Sequence, residues 1–364
     1  MIYNDILDGL KFYEAGKPIE LVVREYGIKA DDVIKLASNE NPLGCSPLVK
    51  EAIAKNAHLA SIYPDDSYYE LKGALADKFG VKRENFIIGV GSDQVIDVCV
   101  KAVANENRAV LQSGISFAMY EIYTLQAGAK LIKTPTPTHN LAEFKELYEK
   151  QKDNIGVIFL CLPNNPLGEC LDFSEVYEFL GCVSEDTLVV LDGAYQEYAS
   201  FKDSAKSIPV KSVIEKFNNV IYLGTFSKAY GLAGLRVGYG IASSELIKGI
   251  SRIRPVLNVG SISAKAAVAA LADEKFLRES LSLNFSQMLE YETLAKELGL
   301  EIIPSYTNFI TLKIKDSSKL ALNLLRKGII VRDLASYGMD ALRISIGTAS
   351  QNSRVIEAIK GEIG

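Results

Sequence analysis

Lys228 stands in the segment of the sequence that is best suited to covalent chemistry. It follows the apolar run VIYLG within GTFSKAYGLAGLRVGYG, among small, hydroxyl-bearing and apolar residues, and Arg236 lies eight positions further on. Because burial and a nearby cation both disfavour a charged amine, the pKa of such a lysine falls and the neutral amine becomes available for Schiff-base chemistry. Thr225 and Ser227 add hydroxyl groups suited to a phosphate. The competing interpretation is a surface lysine that simply follows a strand.

A second segment, GVGSDQVIDVCVKAV, is a candidate phosphate site. The strand-like run FIIGV leads through Gly89 and Gly91 to a helix that opens at Ser92 and Asp93, and the unpaired N–H groups of such an opening attract anions. The segment is not a dinucleotide fingerprint, because Gln94 occupies the position of the third glycine, and it is not a P-loop, because GK[ST] is absent. The segment therefore predicts either a phosphate-binding site or an ordinary tight turn.

Two more strand-like runs end in polar residues. Asn164 and Asn165 follow VIFLCLP within NNPLG, and Asp192 ends the very apolar run LVVLD, with Tyr195 three residues further on. A carboxylate in such a place is costly unless a cation pairs with it, which favours a binding site. Asn, Pro and Gly also dominate turns, and Asp also caps helices, so those simpler interpretations stay open.

Seven strand-like runs alternate with amphipathic helical stretches over about the first 250 residues, which predicts parallel strands joined by helical crossovers. Several runs are apolar throughout, as expected where helices cover both faces of a sheet. Ligands of such sheets bind beyond the carboxyl ends of the strands, so the four polar segments should form one site. The predicted strands are 85–90, 108–112, 130–133, 156–162, 187–192, 220–224 and 237–241.

After about residue 250 the pattern changes to long helical stretches followed by three predicted short strands, NFITLKI, GIIVRD and ALRISIG. The predicted fold class is therefore α/β, with a large α/β/α domain on a mainly parallel sheet and a smaller α+β domain. We place an N-terminal arm at 1–30, the large domain at 31–250 and the small domain at 251–364. In ALRISIG the alternation of a strand puts Arg343 and Ser345 on the face away from the small domain's core, where Arg343 could bind an anion.

Three helix starts carry recognisable signals. Ser46 followed by Pro47 predicts a cap and a first-turn proline, and Asn140 with Glu143 predicts a box-like start. For the stretch YYELKGALADKF we expect the cap at Asp66 or Ser67 and the end at Gly80.

Composition and charge narrow the classes of function. The 364 residues are 48% hydrophobic, carry a net charge of −5 and intersperse basic with acidic residues, so a nucleic-acid partner is not expected. No run approaches the roughly 18 apolar residues of a membrane span, and the first residues lack a long apolar stretch, so we expect a cytoplasmic protein. Five cysteines without a CxxC pair indicate reduced thiols, and only two histidines, His58 and His139, leave little material for a metal site.

The four polar segments, in this order, resemble the fold-type I aminotransferases that depend on pyridoxal phosphate. TFSKAYGLAGLRVG is the most specific of the shared motifs. LASNENPLG, YPDDSYYELK, SFAMY, PNNPLG, GIIVRD and LRISIGT bring the sequence closest to the histidinol-phosphate aminotransferases, and the resemblance covers essentially the whole chain. Leu167 stands where the family usually has threonine, and Ser92-Asp93-Gln94 replaces a more usual Ala-Asp-Glu. Neither change removes a group that the chemistry needs.

The resemblance implies a cofactor role for most of the candidates. Lys228 would form a Schiff base with pyridoxal phosphate and shuttle a proton, and Asp192 would pair with the pyridine nitrogen so that the ring can accept electrons. Asn165 and Tyr195 would hydrogen-bond the phenolic oxygen of the ring, and Phe117 would stack on its face. The phosphate would be surrounded by Ser92, Asp93, Thr225, Ser227 and Arg236, with Tyr63 reaching it from the partner subunit of a symmetric homodimer.

The resemblance also implies the substrates. Arg343 matches the residue that binds the substrate carboxylate, Arg332 and Tyr13 look like the groups that hold the phosphate of histidinol phosphate, and Asn39 belongs to the same substrate-binding set. We expect a ping-pong exchange of histidine biosynthesis that links histidinol phosphate and 2-oxoglutarate to imidazole acetol phosphate and glutamate. A cluster of arginines suits both anions, the carboxylate and the phosphate. For Tyr13, plain packing in the N-terminal arm is an equally good interpretation.

Four alternatives stay open at the level of sequence. An aromatic aminotransferase or a threonine-phosphate-type decarboxylase would share every cofactor residue named above. A binding or regulatory protein on the same fold would normally carry an added DNA-binding segment, which the enzyme pattern leaves no room for. An NAD-dependent dehydrogenase lacks support because the third glycine is missing.

Overall fold

The computed structural model describes Ile6, Leu10 and residues 19–363. These residues form a seven-stranded, a four-stranded and a two-stranded sheet. The strands are β1 (Ile34–Lys35), β2 (Phe86–Val90), β3 (Ala109–Gln112), β4 (Leu131–Lys133), β5 (Ile155–Cys161), β6 (Leu188–Asp192), β7 (Val220–Thr225), β8 (Val237–Ile241), β9 (Glu301–Ile303), β10 (Phe309–Lys313), β11 (Ile329–Ile330), β12 (Arg332–Asp333) and β13 (Ala341–Ser345).

The α-helices among the described residues cover both faces of the large sheet and one side of the small one. They are α1 (Ile19–Tyr26), α2 (Pro47–Asn56), α3 (Tyr69–Phe79), α4 (Gly91–Val103), α5 (Ala118–Gln126), α6 (Leu141–Gln151), α7 (Phe173–Leu180), α8 (Gln196–Lys202), α9 (Val210–Lys216), α10 (Ser244–Ile250), α11 (Ser261–Leu271), α12 (Glu274–Leu298), α13 (Ser317–Arg326) and α14 (Ala349–Ile363). No described helix combines the length and apolarity that a membrane-spanning segment needs.

The seven predicted strands of the large domain all form, with ends within one residue of the prediction, and they make up one sheet in the order β2-β8-β7-β6-β5-β3-β4. Four of the six neighbouring pairs are parallel, whereas β8 runs antiparallel to both β2 and β7. The predicted mainly parallel sheet is therefore confirmed, with one reversed strand inside it.

Successive residues of the central strands pack into two different cores. Val157 and Phe159 of β5 belong to one apolar cluster, and Ile158 and Leu160 belong to the other. Because neighbouring side chains of a strand point to opposite faces, the two clusters lie on opposite faces of the sheet. This arrangement confirms the predicted α/β/α layers and explains why the strands are apolar throughout.

The smaller sheet is antiparallel, in the order β12-β13-β10-β9. Leu342 and Ile344 of β13 pack into its core with α12 and α14, whereas Arg343 and Ser345 point to the other face, as the alternation predicted. The prediction of one strand over GIIVRD was wrong. Its first half, β11, pairs in parallel with β1 in a separate two-stranded sheet, and only β12 joins the four-stranded sheet.

Two of the three predicted helix caps are confirmed. The Ser46 side chain accepts a hydrogen bond from an amide of the first turn of α2, and Asn140 caps α6 in the same way. The box predicted with Glu143 does not form, because the Glu143 carboxylate instead accepts from the amide and the hydroxyl of Thr136. The predicted cap of α3 was wrong, because the helix begins only at Tyr69, after Tyr68 in a left-handed conformation (φ 50°). Gly80, with φ 66°, ends α3 as predicted.

The division at about residue 250 stays a prediction. The seven-stranded sheet lies before it and the four-stranded sheet after it. Ala266, Ala267 and Ala270 of α11 nevertheless pack into the core of the large sheet, against the layer that contains α2 and α3.

Candidate active site

A cavity of about 390 Å³ lies beyond the carboxyl ends of β5, β6 and β7. Lys228 and Asp192, the two groups on which the predicted chemistry depends most, both line it. Its other walls combine eight more of the predicted site residues with four residues that were not named as site residues. The complete lining is Gly91, Ser92, Asp93, Phe117, Met119, Cys161, Asn165, Asp192, Ala194, Tyr195, Thr225, Ser227, Lys228 and Arg236.

Lys228 lies on the connection between β7 and β8, and its amine points into this cavity. Nζ donates a hydrogen bond to the carbonyl of Ser38 over 3.1 Å and lies 5.8 Å from the centre of the Tyr195 ring. Burial, followed by the Arg343 guanidinium, lowers the pKa of Lys228 from 10.5 to about 7. A substantial fraction of the amine is therefore neutral, and nucleophilic, near neutral pH.

Asp192 ends β6 with its carboxylate buried at the wall of the cavity. Tyr120 donates to Oδ2 over 2.7 Å, and the amide of Ala194 donates to Oδ1 over 3.1 Å. No Lys, Arg or His among the described residues forms an ion pair with Asp192, and burial raises its pKa. A cationic group of a bound ligand would therefore offset the cost of burying this carboxylate.

The opposite end of the cavity is built for an anion. α4 opens there with the amide of Ser92, and the Arg236 guanidinium lies beside it; the backbone of Arg236 has φ 54°. A Cβ on Gly91 would lie 2.8 Å from Nη2 of Arg236, so only glycine leaves this space open. The Thr225 and Ser227 hydroxyls, 3.1 Å apart, complete the group.

Asp93 is the exception in this group of donors. Tyr123 donates to its Oδ2 over 3.0 Å, while its buried Oδ1 has no hydrogen-bond partner among the described residues. Burial raises the pKa of Asp93.

The middle of the cavity is lined by hydrogen-bonding groups held from other elements. The Tyr195 hydroxyl accepts from Nδ2 of Asn39 over 2.8 Å and so keeps its own proton to donate. Asn165 accepts from Nη1 of Arg343 over 2.6 Å through Oδ1, and its Nδ2 makes no hydrogen bond to any described residue. Both residues therefore retain a donor for a bound molecule.

Arg343 and Arg332 occupy directly opposite positions on β13 and β12, so they share one face of the small sheet. Arg343 is 9% exposed and also donates to the carbonyl of Ala37 over 2.7 Å, while Arg332 is half-buried. Neither residue lines the 390 Å³ cavity, but Arg343 reaches its wall through Asn165. The structure thus brings the predicted substrate arginine up to the predicted cofactor site.

Two other predicted residues, Asn39 and Tyr63, lie away from the cavity wall. Asn39, with φ 56°, is 1% exposed and contacts Tyr195, Ser345 and Asn308 through hydrogen bonds. Tyr63 is 82% exposed and does not reach the cavity of its own chain. Tyr13 lies outside the described residues.

Sequence reasoning missed Gly91, Met119, Cys161 and Ala194 as wall residues, as well as Tyr120 behind the wall. Cys161 is the last residue of β5 and pairs with Asp192 across the sheet, so the strand-end rule itself could have found it. Tyr120 belongs to the SFAMY segment, and nothing in the spacing of that segment indicates its contact with Asp192.

This set of groups fits pyridoxal phosphate. Amides, hydroxyls and a guanidinium suit a phosphate, Asp192 is a buried carboxylate without a cationic partner among the described residues, and an amine of lowered pKa lines the same cavity. Phe117 adds an aromatic surface at the wall. Fold and site together define an enzyme of the α/β/α type that uses pyridoxal phosphate.

Comparison with known proteins agrees with this class. Residues 31–359 match the family model for aminotransferase class I and II. Histidinol-phosphate aminotransferases of Campylobacter concisus and Wolinella succinogenes are 57% and 54% identical, each over 99% of this chain and 99% and 98% of their own. A histidinol-phosphate aminotransferase of Sinorhizobium meliloti, solved with pyridoxal-5'-phosphate, aligns with a TM-score of 0.88 at 27% identity, over 99% of this chain and 98% of that one.

The chain belongs to the class I and II aminotransferases and, within them, to the histidinol-phosphate aminotransferases. The predictions of fold class, of an aminotransferase and of its subfamily are confirmed.

Proposed function

We propose that this chain uses pyridoxal phosphate to exchange an amino group between histidinol phosphate and 2-oxoglutarate, giving imidazole acetol phosphate and glutamate. The observation that carries the proposal is the shared cavity of Lys228 and Asp192, with an anion seat at one end and Arg343 at the side. The names of the relatives support the choice of substrate.

The residues at the anion seat would hold the cofactor phosphate. Amides at the opening of α4 and the Arg236 guanidinium provide a dipole and a full charge, and the Thr225 and Ser227 hydroxyls add neutral donors. When bound, pyridoxal phosphate supplies an aldehyde that takes up the amino group and a ring that withdraws electrons from the substrate carbon.

Lys228 would act as nucleophile and proton carrier. With a pKa of about 7, its amine is neutral often enough to attack a carbonyl, and it can still take up and return a proton at the substrate carbon. The carbonyl of Ser38 accepts one of its hydrogens and so aims Nζ into the cavity.

Asp192 would keep the ring nitrogen protonated, because the carboxylate is buried and a cationic N–H is the partner that it lacks. Tyr195 and Asn165 would donate hydrogen bonds to the ring oxygen from the side that faces the small domain. Phe117 would cover one ring face and limit the access of water.

Arg343 and Arg332 would bind the anionic groups of the two substrates in turn. Their opposite positions on β13 and β12 place both guanidinium groups on one face, where a carboxylate or a phosphate can be bound in a bidentate manner. This explains how one site can serve glutamate in one half-reaction and histidinol phosphate in the other. The roles of Asn39 and Tyr13 in substrate binding stay predictions.

A symmetric homodimer with Tyr63 donated to the partner's site is part of the proposal. Two neighbouring surface loops expose large apolar side chains: Ile62 is 61% exposed, Tyr63 is 82% exposed and Val256 is 76% exposed. Such a group of exposed apolar side chains is unusual on a protein surface. Asp66 connects the two loops, since it pairs with Arg254 over 2.7 Å and accepts from the amide of Leu257 over 2.8 Å. Such a patch suits an isologous interface.

Mixing two inactive variants tests the exchange of Tyr63. A dimer of one Lys228→Ala and one Tyr63→Ala subunit contains a single site with both Lys228 and the partner's Tyr63. Activity of the remixed sample well above that of either parent is expected. Activity equal to the average of the parents would show that Tyr63 does not cross between subunits.

The reaction itself is tested with purified protein. After incubation with pyridoxal phosphate and reduction with borohydride, mass spectrometry should find the cofactor attached at residue 228, and the Lys228→Ala variant should show neither attachment nor turnover. Lys275→Ala, at an exposed lysine of α12, serves as the control. Amino transfer from histidinol phosphate to 2-oxoglutarate should exceed transfer from phenylalanine. Release of carbon dioxide without amino transfer would instead favour the decarboxylase.

A further inference from the structure

Tyr120 lies directly behind Asp192, outside the wall of the cavity. It sits in the first turn of α5, is fully buried and donates a hydrogen bond from its hydroxyl to Oδ2 of Asp192 over 2.7 Å. Building on the proposed function, we propose that Tyr120 is a positioning residue that holds the Asp192 carboxylate ionised and aimed at the cofactor ring.

The hydroxyl has a fixed position because the ring that carries it is held on two sides. The Tyr120 ring stacks on Phe159 with centroids 4.1 Å apart and planes 5° from parallel, and it meets Phe117 edge-on at 5.7 Å. The Thr124 hydroxyl donates to the Tyr120 carbonyl over 2.6 Å. Contacts with β5, with α5 and with the cavity wall therefore fix the position of the Tyr120 hydroxyl.

Each oxygen of Asp192 has one donor, and the two donors come from different elements. Tyr120 of α5 binds Oδ2, while the Ala194 amide after β6 binds Oδ1. This pair of contacts sets the plane of the carboxylate. Removing the hydroxyl would leave a buried oxygen without a partner and let the group rotate.

The same hydrogen bond opposes the effect of burial on charge. Burial disfavours the ionised form of Asp192, as does the nearby carboxylate of Asp93, whereas the Tyr120 hydroxyl and the Ala194 amide favour it. Tyr120 is the only side chain of the described residues that donates to Asp192. The titratable groups that affect Asp192 or are affected by it are Asp93 of α4, Tyr120 of α5, Cys161 of β5, Tyr195 before α8 and Tyr222 of β7.

The Tyr120→Phe variant keeps the ring and its stacking and removes only the donor. Because a hydrogen bond to a charged group is worth more than one between neutral groups, we expect the affinity of the variant for pyridoxal phosphate to fall by about tenfold or more. Asp192 should also take up a proton at higher pH, so the pH below which cofactor affinity is lost should move upward.

Tyr291→Phe is the matched control. Tyr291 is also fully buried, and its hydroxyl donates to Oδ1 of Asn352 over 3.1 Å in the core of the small domain. Loss of this hydroxyl should lower stability to a similar extent without changing cofactor affinity or its pH dependence. Equal changes in both variants would show that Tyr120 serves only packing.

Two further measurements separate this inference from the proposed function. In the Asp192→Asn background, addition of Tyr120→Phe should change cofactor affinity by no more than about twofold, because the two residues act through one contact. In the cofactor-free protein, the infrared carboxyl band identified by Asp192→Asn should titrate at higher pH in Tyr120→Phe than in the wild type. An unchanged titration would overturn the inference, whereas a wild type that binds no cofactor would overturn the proposed function alone.

Discussion

Replacing Lys228 by methionine should stabilise the cofactor-free protein at acidic and neutral pH. Burial first, and the Arg343 guanidinium second, lower the pKa of this amine from 10.5 to about 7. The folded protein therefore binds the lysine proton more weakly than the unfolded chain does. Below the folded pKa the amine is charged in both states, and the folded state carries the whole cost of burying that charge.

The size of the effect follows from the two pKa values. The difference between 10.5 and about 7 corresponds to about 5 kcal/mol in the free energy of unfolding. Loss of the hydrogen bond from Nζ to the Ser38 carbonyl should subtract about 1 kcal/mol, so a gain of about 4 kcal/mol is expected near pH 6. Near pH ~10 the amine is mostly neutral in the folded state and partly so in the unfolded chain, so the gain should fall close to zero.

Urea unfolding of the two proteins without cofactor, at the two pH values, measures this gain. Lys275→Met is the control, since the Lys275 side chain is 87% exposed, and it should change stability little at either pH. If Lys228→Met is no more stabilising near pH 6 than near pH 10, the amine is not held at a lowered pKa and the reasoning fails.

Three other substitutions test single features of the fold and site. Arg236→Gln should weaken binding of pyridoxal phosphate by about tenfold or more, with little effect on pyridoxal, because it removes a charge-assisted contact to the phosphate alone; equal losses for both ligands in equilibrium titrations would contradict this. Ser46→Ala should lower the free energy of unfolding by about 1 kcal/mol in urea titrations, because Ser46 caps α2 and also donates to Asp273, the residue before α12, over 2.5 Å. Gly231→Ala should yield little folded protein by size-exclusion chromatography, because the added Cβ would lie 1.8 Å from the carbonyl of Gly44 and φ is +71°; normal yield would mean that this backbone can move apart.

The seven strands of the large sheet were predictable because their signal is local and strong. Runs such as VIFLCL and LVVL are apolar at every position, and polar or glycine-containing segments bound them. Burial on both faces requires this pattern whatever the neighbouring strand is. The prediction of strand ends within one residue therefore needed no knowledge of the order of the strands.

The short strands were not predictable in the same way. β1 and β11 have two residues each, and β12 has two more, so none of them contains enough positions for an alternation to be read. GIIVRD splits because Ile329 and Ile330 pair with Ile34 and Lys35, about 300 residues earlier in the chain, while Arg332 turns to β13. A pairing over that distance is set by tertiary packing and leaves no local pattern in the sequence.

In the site, too, local sequence patterns identify some residues and miss those whose role depends on contacts between distant segments. Lys228 and Asp192 follow strands directly, so the rule that ligands gather at strand ends finds them. Asn39 could be named only through resemblance, and its hydrogen bonds to Ser345 and Tyr195 join segments that no local pattern connects. Tyr120 differs again, because its hydroxyl acts on a neighbour of the cavity and an unbroken helical pattern conceals the contact.

The reversed strand β8 explains why the lysine and the arginine of one short segment can serve opposite ends of a ligand. If β7 were followed by a parallel strand, the chain would have to cross the sheet and would carry the residues after Lys228 to the far edge. Because β8 instead runs antiparallel beside β7, Arg236 returns to the carboxyl end of β7, next to Thr225. β8 also pairs with β2, and the amide of Gly91 donates to the carbonyl of Arg236 over 3.1 Å. The antiparallel direction of β8 thus brings the opening of α4 and the guanidinium of Arg236 to one phosphate-binding site. An apolar run in the sequence does not show in which direction its strand will run.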